Sequence, residues 1–362
     1  MKSCLPAIPI LFVICGCTGQ PNPAANPPPQ PEHQATTASS NVETPAAGDA
    51  KDPATAAESK SREFVFHYKF RVKDLKATGD AQQDLVRVWL PHPSTDDYQK
   101  VSRGVEVGPV EMRLHRDQRL NNQYRHFELA IPENGEFVVD IPYHIVRREV
   151  RADAVRGANA RLDAELRAEL LAATELVPTT GKPLELIKDL KLADEPMARA
   201  RQLYDVVDKH VVYKKEGTGW GRGDTNWVCE SGYGNCTDFH SLFISLARSQ
   251  ELPAKFEIGF SIPTDKTSGT IAGYHCWAWF HARDKGWIPV DISEADKHPE
   301  MKEYYFGNLT ADRVMFSVGR DLRLDPAPAA GPLNFFVFPH IEVGRKVLPK
   351  ENLELQFAYE NE

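Results

Sequence analysis

The sequence predicts an α+β protein in which an antiparallel β domain precedes a core of mixed helices and strands. From Phe64 to Val72, large apolar side chains alternate with polar ones, which is the period-two pattern of a half-buried strand. After residue 150 the apolar spacing becomes helical. A Gly-rich loop then leads into another helical pattern that begins at Cys236. These observations place strands first and a mixed core second.

The N-terminal β domain is predicted over residues 62–150. Turn signals such as Asn134-Gly135 separate further strand patterns in this region. These patterns cover Val86–Leu90, Phe127–Ile131 and Phe137–Val146. Because short strands joined by tight turns pair antiparallel and must bury one face, we expect a β sandwich.

Residues 151–194 are predicted to form a helical connector, with one helix over Leu162–Val177. The next helix begins near Asp194, with Pro196 in its first turn. The remaining predicted elements are a helix over Cys236–Ser249, strands over Lys255–Ile262, Tyr274–Ala282 and Trp287–Ile292, and strand-like segments within Phe335–Ala358. They divide the folded chain into a core over 195–325 and a C-terminal β extension over 326–362.

The first sixteen residues have the composition of an export signal. Lys2 supplies a positive start, and the apolar run from Leu5 to Ile14 is short for a membrane span. Ile14-Cys15-Gly16-Cys17 resembles a bacterial lipobox, which implies cleavage before Cys17 and a lipid on its thiol. An ordinary secretory signal that is cleaved nearby is the alternative.

Residues 17–61 are rich in Pro, Ala and polar side chains, and they predict a disordered linker that lifts the folded part off a membrane. Thr18 follows Cys17, and by resemblance to proteobacterial sorting this favours the outer membrane, facing the periplasm. The formal net charge of −8 argues against a nucleic-acid partner, which would require a basic face. We therefore expect an exported, membrane-anchored lipoprotein.

The loop Gly232-Tyr233-Gly234-Asn235 leads directly into Cys236. Phe239, Leu242 and Phe243 follow at helical spacing, so Cys236 is predicted to lie at a helix N-terminus. The helix dipole and the unpaired N–H groups there lower the pKa of a thiol and can hold an oxyanion. This position favours a nucleophile over a structural cysteine.

A thiolate nucleophile needs a base, and the base needs an orienting group. His275 and Asp291 lie on consecutive predicted strands that a hairpin joins. A turn centred on Arg283 would place them directly opposite each other. A turn centred nearer Lys285 would offset them along the strands, still within reach of each other.

A cysteine at a helix start, a histidine on one strand and an aspartate on the next resemble the transglutaminase-like superfamily. The segments that carry the resemblance are Tyr233-Gly234-Asn235-Cys236, Leu252-Pro253-Ala254-Lys255, Tyr274-His275-Cys276-Trp277 and Gly286-Trp287-Ile288-Pro289-Val290-Asp291. The resemblance covers about residues 195–320 and implies a core of the papain-like cysteine-protease type. It also implies a catalytic triad of Cys236, His275 and Asp291, with no cofactor. Cys276 departs from the more frequent alanine.

Two other kinds of site fit less well. In a papain-like protease the histidine follows the cysteine by more than about 100 residues, whereas His275 follows Cys236 by 39. We expect no metal, because the nearby cysteines and histidines match no common zinc spacing. A Cys229–Cys276 disulfide stays open at this point. Strand alternation predicts that Cys276 faces away from the site.

Two functions follow from different classes of protein. The first is an enzyme that acts on amide bonds of a peptide or protein, including cell-wall peptides, through a thioester intermediate. Hydrolysis and transfer to an amine use the same three residues, so the sequence leaves both open. The second is a catalytically silent module that binds or displays a peptide or cell-wall partner.

Overall fold

A computed structural model gives the fold and describes residues 59–153, 162–283 and 285–362. The predicted signal peptide (1–16), the predicted lipid site at Cys17 and nearly all of the predicted linker lie outside the described residues. Within the described ranges, no helix combines the length and the apolar character that crossing a bilayer requires.

The described residues form sixteen strands and six α-helices. The strands are β1 (Ser61–Val72), β2 (Leu85–His92), β3 (Gln99–Arg103), β4 (Arg113–Arg116), β5 (Gln123–Ala130), β6 (Phe137–Arg148), β7 (Val212–Tyr213), β8 (Tyr233–Gly234), β9 (Ala254–Ser261), β10 (Ser268–Ile271), β11 (His275–Ala282), β12 (Gly286–Val290), β13 (Arg313–Val318), β14 (His340–Val343), β15 (Lys346–Val347) and β16 (Leu353–Asn361). The helices are α1 (Ala164–Leu171), α2 (Pro196–His210), α3 (Thr225–Ser231), α4 (Cys236–Ser249), α5 (Ile292–Lys297) and α6 (Lys302–Tyr305).

The predicted α+β class and the β sandwich are confirmed. Two five-stranded antiparallel sheets have the strand orders β10-β16-β1-β6-β3 and β15-β14-β2-β5-β4. Their facing sides meet where the Phe127 ring lies 6.3 Å from that of Phe137. In β1, every second side chain from Phe64 to Val72 is fully buried, as the alternation in the sequence predicted.

The C-terminal strands complete both sheets of this sandwich. β16 pairs with β1, which sets Tyr359 opposite Phe66, and β14 pairs with β2, which sets Ile341 opposite Val88. The segment predicted as a C-terminal β extension therefore shares its sheets with strands from the first half of the chain. The sequence pattern could not show this sharing, because the paired residues lie far apart along the chain.

The core contains a four-stranded antiparallel sheet in the order β12-β11-β9-β13. Helix α4 covers one face of this sheet, where the rings of Phe243 and Phe280 lie 6.2 Å apart. Aromatic rings also join the core sheet to the sandwich, since Phe260 of β9 lies 4.9 Å from Phe66 and 4.5 Å from Phe357. The sheet that carries the candidate site is thereby packed against both α4 and the sandwich.

The helix predicted over Leu162–Val177 is shorter than expected. Asp163 caps its first turn by accepting a hydrogen bond from the Leu166 N–H at 2.8 Å. The helix ends at Leu171, and Thr174 then forms a bridge with Val177, whose side chain is fully buried. The chain therefore leaves the helix after Leu171 and turns, and this turn buries the Val177 side chain.

Candidate active site

Cys236 is the first residue of α4, and a capping box fixes that start. The Asn235 side chain accepts a hydrogen bond from the Thr237 N–H at 2.9 Å. The Asp238 carboxylate accepts one from the Asn235 N–H, also at 2.9 Å. These reciprocal bonds hold the predicted nucleophile in the N-terminal turn, where the helix dipole favours a negative charge.

Asp238 also holds the glycine loop against the start of α4. Its carboxylate accepts hydrogen bonds from the N–H groups of Gly221, at 2.6 Å, and of Gly223, at 2.9 Å. A Cβ at Gly234 would collide with this carboxylate, so only glycine fits there. Burial raises the pKa of Asp238 to about 7 against the lowering effect of these backbone donors. Asp238 was not among the predicted site residues, although its spacing of three residues from Asn235 is the capping-box pattern.

His275 and Asp291 meet inside the protein. The Nε2 atom of His275 lies 2.8 Å from Oδ2 of Asp291, and both side chains are buried. Ala282 pairs with Gly286, so the register leaves His275 diagonal to Asp291 rather than directly opposite it. Of the two registers that the sequence left open, the offset arrangement is the one that forms.

The Asp291 carboxylate has three further partners. Arg313, from β13, donates from Nη1 to Oδ2 at 3.0 Å. The Ser293 hydroxyl and the Glu294 N–H approach Oδ1 at 3.3 and 3.2 Å, so Asp291 also caps α5. Arg313 is 2% exposed and lies over the Trp277 ring at 4.8 Å. Arg313 was not among the predicted site residues, because only the fold brings β13 next to this carboxylate.

His240 links the helix that carries Cys236 to the helix that follows Asp291. Its Nδ1 lies 2.8 Å from the Cys236 carbonyl oxygen, and its Nε2 accepts a hydrogen bond from the Ile292 N–H at 3.0 Å. Nδ1 must therefore carry the proton. Burial lowers the pKa of His240 to about 4, so the ring is neutral. Within the described ranges, no group of three His, Cys, Asp or Glu side chains is arranged to hold a metal ion.

Comparison with known proteins identifies the family that part of the chain resembles. Residues 185–292 match a family model described as the transglutaminase-like superfamily. Residues 185–292 are a transglutaminase-like core. This segment contains Cys236, His275 and Asp291, and Arg313 lies beyond its end.

Two known proteins are similar to more of the chain than residues 185–292. An uncharacterized protein of Haemophilus influenzae is 30% identical in an alignment 220 residues long, which covers 51% of this chain and 60% of that protein. The match thus spans less than two thirds of that relative. The crystal structure of a candidate cysteine protease from Cytophaga hutchinsonii aligns with a TM-score of 0.55 and 12% identity. The alignment covers 84% of this chain and 99% of the other, and it shows a shared fold.

The periplasmic domain of TgpA from Pseudomonas aeruginosa is a more distant structural neighbour. Its TM-score is 0.31 at 14% identity, over 69% of this chain and 98% of that domain. A TM-score of this size is below the level at which two whole folds are called alike.

The transglutaminase-like core stabilises opposite charges on Cys236 and His275. Burial alone would raise the pKa of the Cys236 thiol. Hydrogen bonds with Cys276 and His275, and the charges of His275 and Lys297, outweigh burial and hold that pKa well below its usual value. Burial lowers the pKa of His275, but the charge and hydrogen bond of Asp291 raise it to about 9. Near neutral pH the pair is therefore a thiolate and an imidazolium.

Cys276 lies against the first turn of α4, where Cys236 is, and the prediction that it faces away from the site was wrong. Its Sγ lies 3.8 Å from the Thr237 hydroxyl and 3.7 Å from His240 Nδ1, both of which belong to α4. The thiols of Cys276 and Cys236 also shift each other's pKa. The prediction failed because α4, which carries Cys236, covers the face of β11 on which Cys276 lies. His275 is the first residue of β11. The Cys229–Cys276 disulfide that the sequence left open is not formed, since both cysteines are free thiols.

Proposed function

We propose that this protein is an exported, membrane-tethered cysteine enzyme that acts on amide bonds of peptide or protein substrates through a thioester on Cys236. The observation that carries the proposal is the buried series of contacts from the Cys236 thiol to His275 and from His275 Nε2 to Asp291, at 2.8 Å. Few structural roles require a thiolate and an imidazolium side by side, whereas acyl transfer to sulfur uses both.

The charges in this series define the role of each residue. Asp291 engages Nε2 of His275, so Nδ1 is the nitrogen that faces Cys236. The thiolate attacks the substrate carbonyl carbon, and Nδ1 of the imidazolium protonates the amine as the C–N bond breaks. Water or a primary amine then attacks the thioester, returns a proton to His275 and releases the thiolate. Asp291 keeps the imidazole oriented and stabilises its charge.

The first turn of α4 supplies the electrostatic part of the proposed mechanism. The carbonyl oxygen gains negative charge when sulfur adds, and the N–H groups of a helix N-terminus can stabilise that charge. Cys236 belongs to this turn, and Asn235 and Asp238 fix its position before substrate arrives. Because the donors are already in place, little reorganisation is required during the reaction.

Near-complete burial of the nucleophile favours a second candidate function. Cys236 is only 2% exposed, which also suits a catalytically silent module that binds or displays a peptide or cell-wall partner. In that case Cys236 would serve only to pack the core, and its low pKa would not be used in a reaction. Reactivity of the thiol distinguishes the two functions.

The test uses the full-length protein, purified in detergent, with glutamine-containing peptides in the presence and absence of a primary amine. Mass spectrometry would report cleavage or deamidation as hydrolysis, and incorporation of the amine as transfer. We expect turnover that Cys236→Ala abolishes and that the matched variant Cys229→Ala retains. Absence of turnover, together with equal iodoacetamide labelling of Cys236 and Cys229 in the folded protein, would favour the display module.

A further inference from the structure

The thiols of Cys236 and Cys276 form a buried pair in the candidate active site. Cys236 is 2% exposed and Cys276 is fully buried, and each thiol shifts the pKa of the other. Thr237 and His240 enclose Cys276 from the side of α4, at 3.8 and 3.7 Å from its sulfur. The proposed acyl transfer requires only one of these two sulfurs, so the second has no role in that reaction.

The two thiols differ in charge state. Cys236 is held as a thiolate, whereas burial, together with the hydrogen bond and negative charge of Cys236, raises the pKa of the Cys276 thiol well above its usual value. A thiolate reacts with hydroperoxides, and a protonated thiol reacts much more slowly. The pair therefore has one sulfur that an oxidant attacks and one that remains reduced beside it.

We propose that Cys236 and Cys276 form a reversible redox modification site, in which a hydroperoxide oxidises Cys236 and Cys276 closes a disulfide onto it. In the first step the Cys236 thiolate attacks one peroxide oxygen, the O–O bond breaks, and a sulfenic acid forms. The departing alkoxide or hydroxide takes a proton from the His275 imidazolium. In the second step the Cys276 sulfur displaces the sulfenic hydroxyl, which leaves with the Cys276 proton as water. Two thiols and one hydroperoxide thus give one disulfide, one alcohol or water, and one water.

The local electrostatics and geometry support the second step. The negative charge of Cys236 contributes to the raised pKa of Cys276, and that contribution disappears once Cys236 is a neutral sulfenic acid. Cys276 Sγ already lies against Thr237 and His240 of α4, and the disulfide forms when the two sulfurs approach the S–S bond length of about 2.05 Å. A dithiol reductant reverses the reaction by thiol–disulfide exchange.

Such a bond would protect the nucleophile from irreversible damage. A sulfenic acid without a neighbouring thiol is oxidised further to sulfinic and sulfonic acids, which dithiols do not reduce. Cys229 provides an internal comparison, because it is half-buried in α3 and burial raises its pKa to about 11. It lacks the thiolate character of Cys236, and we expect it to remain reduced under the same treatment.

The test treats reduced full-length protein in detergent with hydrogen peroxide, blocks free thiols, and maps the peptides without reduction. In the wild type we expect a linked Cys236–Cys276 peptide, and dithiothreitol should restore more than about nine tenths of the iodoacetamide labelling of Cys236. In Cys276→Ala we expect sulfinic and sulfonic acid at Cys236 and recovery of less than about one tenth. Cys229→Ala should behave as the wild type does.

The linked peptide is measured in the wild type, so the proposal remains testable even if Cys276→Ala folds poorly. Absence of that peptide, or equal over-oxidation of Cys236 in the wild type and in folded Cys276→Ala, would overturn the proposal. Disulfides that join Cys236 to Cys229 or to a second molecule would also overturn it. No readout requires a substrate, so failure of the redox site and failure of the proposed amide chemistry are distinguishable.

Discussion

Truncation of Asp291 is expected to destabilise the protein, in addition to its effect on catalysis. From the sequence, Asp291 was predicted only to orient His275. In the structure its carboxylate, which is fully buried, also pairs with Arg313, itself 2% exposed. His275 can lose its proton when Asp291 is removed, but a guanidinium cannot. Asp291→Ala would therefore leave a buried positive charge without its carboxylate partner.

The size of the effect follows from these contacts. Removing one partner of a buried ion pair costs about 3–5 kcal/mol in the free energy of unfolding. Loss of the cap on α5 adds about 1 kcal/mol. With a urea m-value of about 3 kcal/mol/M, a loss of 3 kcal/mol or more lowers the unfolding midpoint by about 1 M or more.

Urea unfolding, followed by tryptophan fluorescence, measures this difference. Glu303→Ala is the matched control, because it breaks a pair with Arg201 in which the Glu303 side chain is 76% exposed. We expect that control to cost less than about 1 kcal/mol. The double variant Asp291→Asn/Arg313→Met removes both charges, and it should recover most of the stability but none of the turnover. An Asp291→Ala midpoint equal to that of Glu303→Ala would refute the reasoning.

Reactivity, coupling, pH dependence and anchoring provide further tests. Near pH 7, iodoacetamide should label Cys236 much faster than Cys229, and His275→Ala should slow the labelling of Cys236 because the imidazolium is lost. The double variant Cys236→Ala/His275→Ala should lose hardly more turnover than Cys236→Ala alone. His275 has a folded pKa of about 9 against about 6.5 unfolded, so its contribution to stability is complete below pH 6.5 and is lost as the pH rises through 9. Cys17→Ser should release the mature protein from membranes or leave it unprocessed.

Each of these tests has a clear adverse outcome. Equal labelling of the cysteines would argue against a thiolate at Cys236. Losses of turnover that add in the double variant would argue against a shared catalytic unit. The same decline in urea midpoint from pH 6.5 to pH 9.5 in the wild type and in His275→Ala would assign the pH dependence to another group. Unchanged membrane fractionation and processing of Cys17→Ser would remove the argument for a lipid anchor.

Local signals in the sequence predicted the elements that carry the candidate site. Helix α4 has the predicted bounds, Cys236 to Ser249, because a glycine loop and an amphipathic spacing both lie within one short stretch. His275 and Asp291 were assigned to consecutive strands, and the structure brings them within hydrogen-bond distance. Short-range patterns of this kind determine where an element begins and which residues it presents.

The other contacts of the candidate site depend on packing between segments that lie far apart in the sequence. Arg313 reaches Asp291 from a strand that the sequence pattern did not indicate. Strand alternation placed His275 and Cys276 on opposite faces, but it could not show which face α4 would cover. The roles of Arg313 and Cys276 are therefore set by tertiary contacts, which no single stretch of the sequence contains.

The pairing of β16 with β1 has a consequence for how an exported chain would fold. Phe66 and Tyr359 are paired although nearly all of the folded sequence lies between them. Their contact therefore closes a very long loop, at an entropic cost of roughly 5 kcal/mol. β16 also pairs with β10, and it therefore lies in the interior of its sheet. That sheet is complete only when Leu353–Asn361 has joined it. Under the proposed export, the sheet would form only after this segment had crossed the membrane, and a chain that ends before Leu353 would leave β1 and β10 without their shared neighbour.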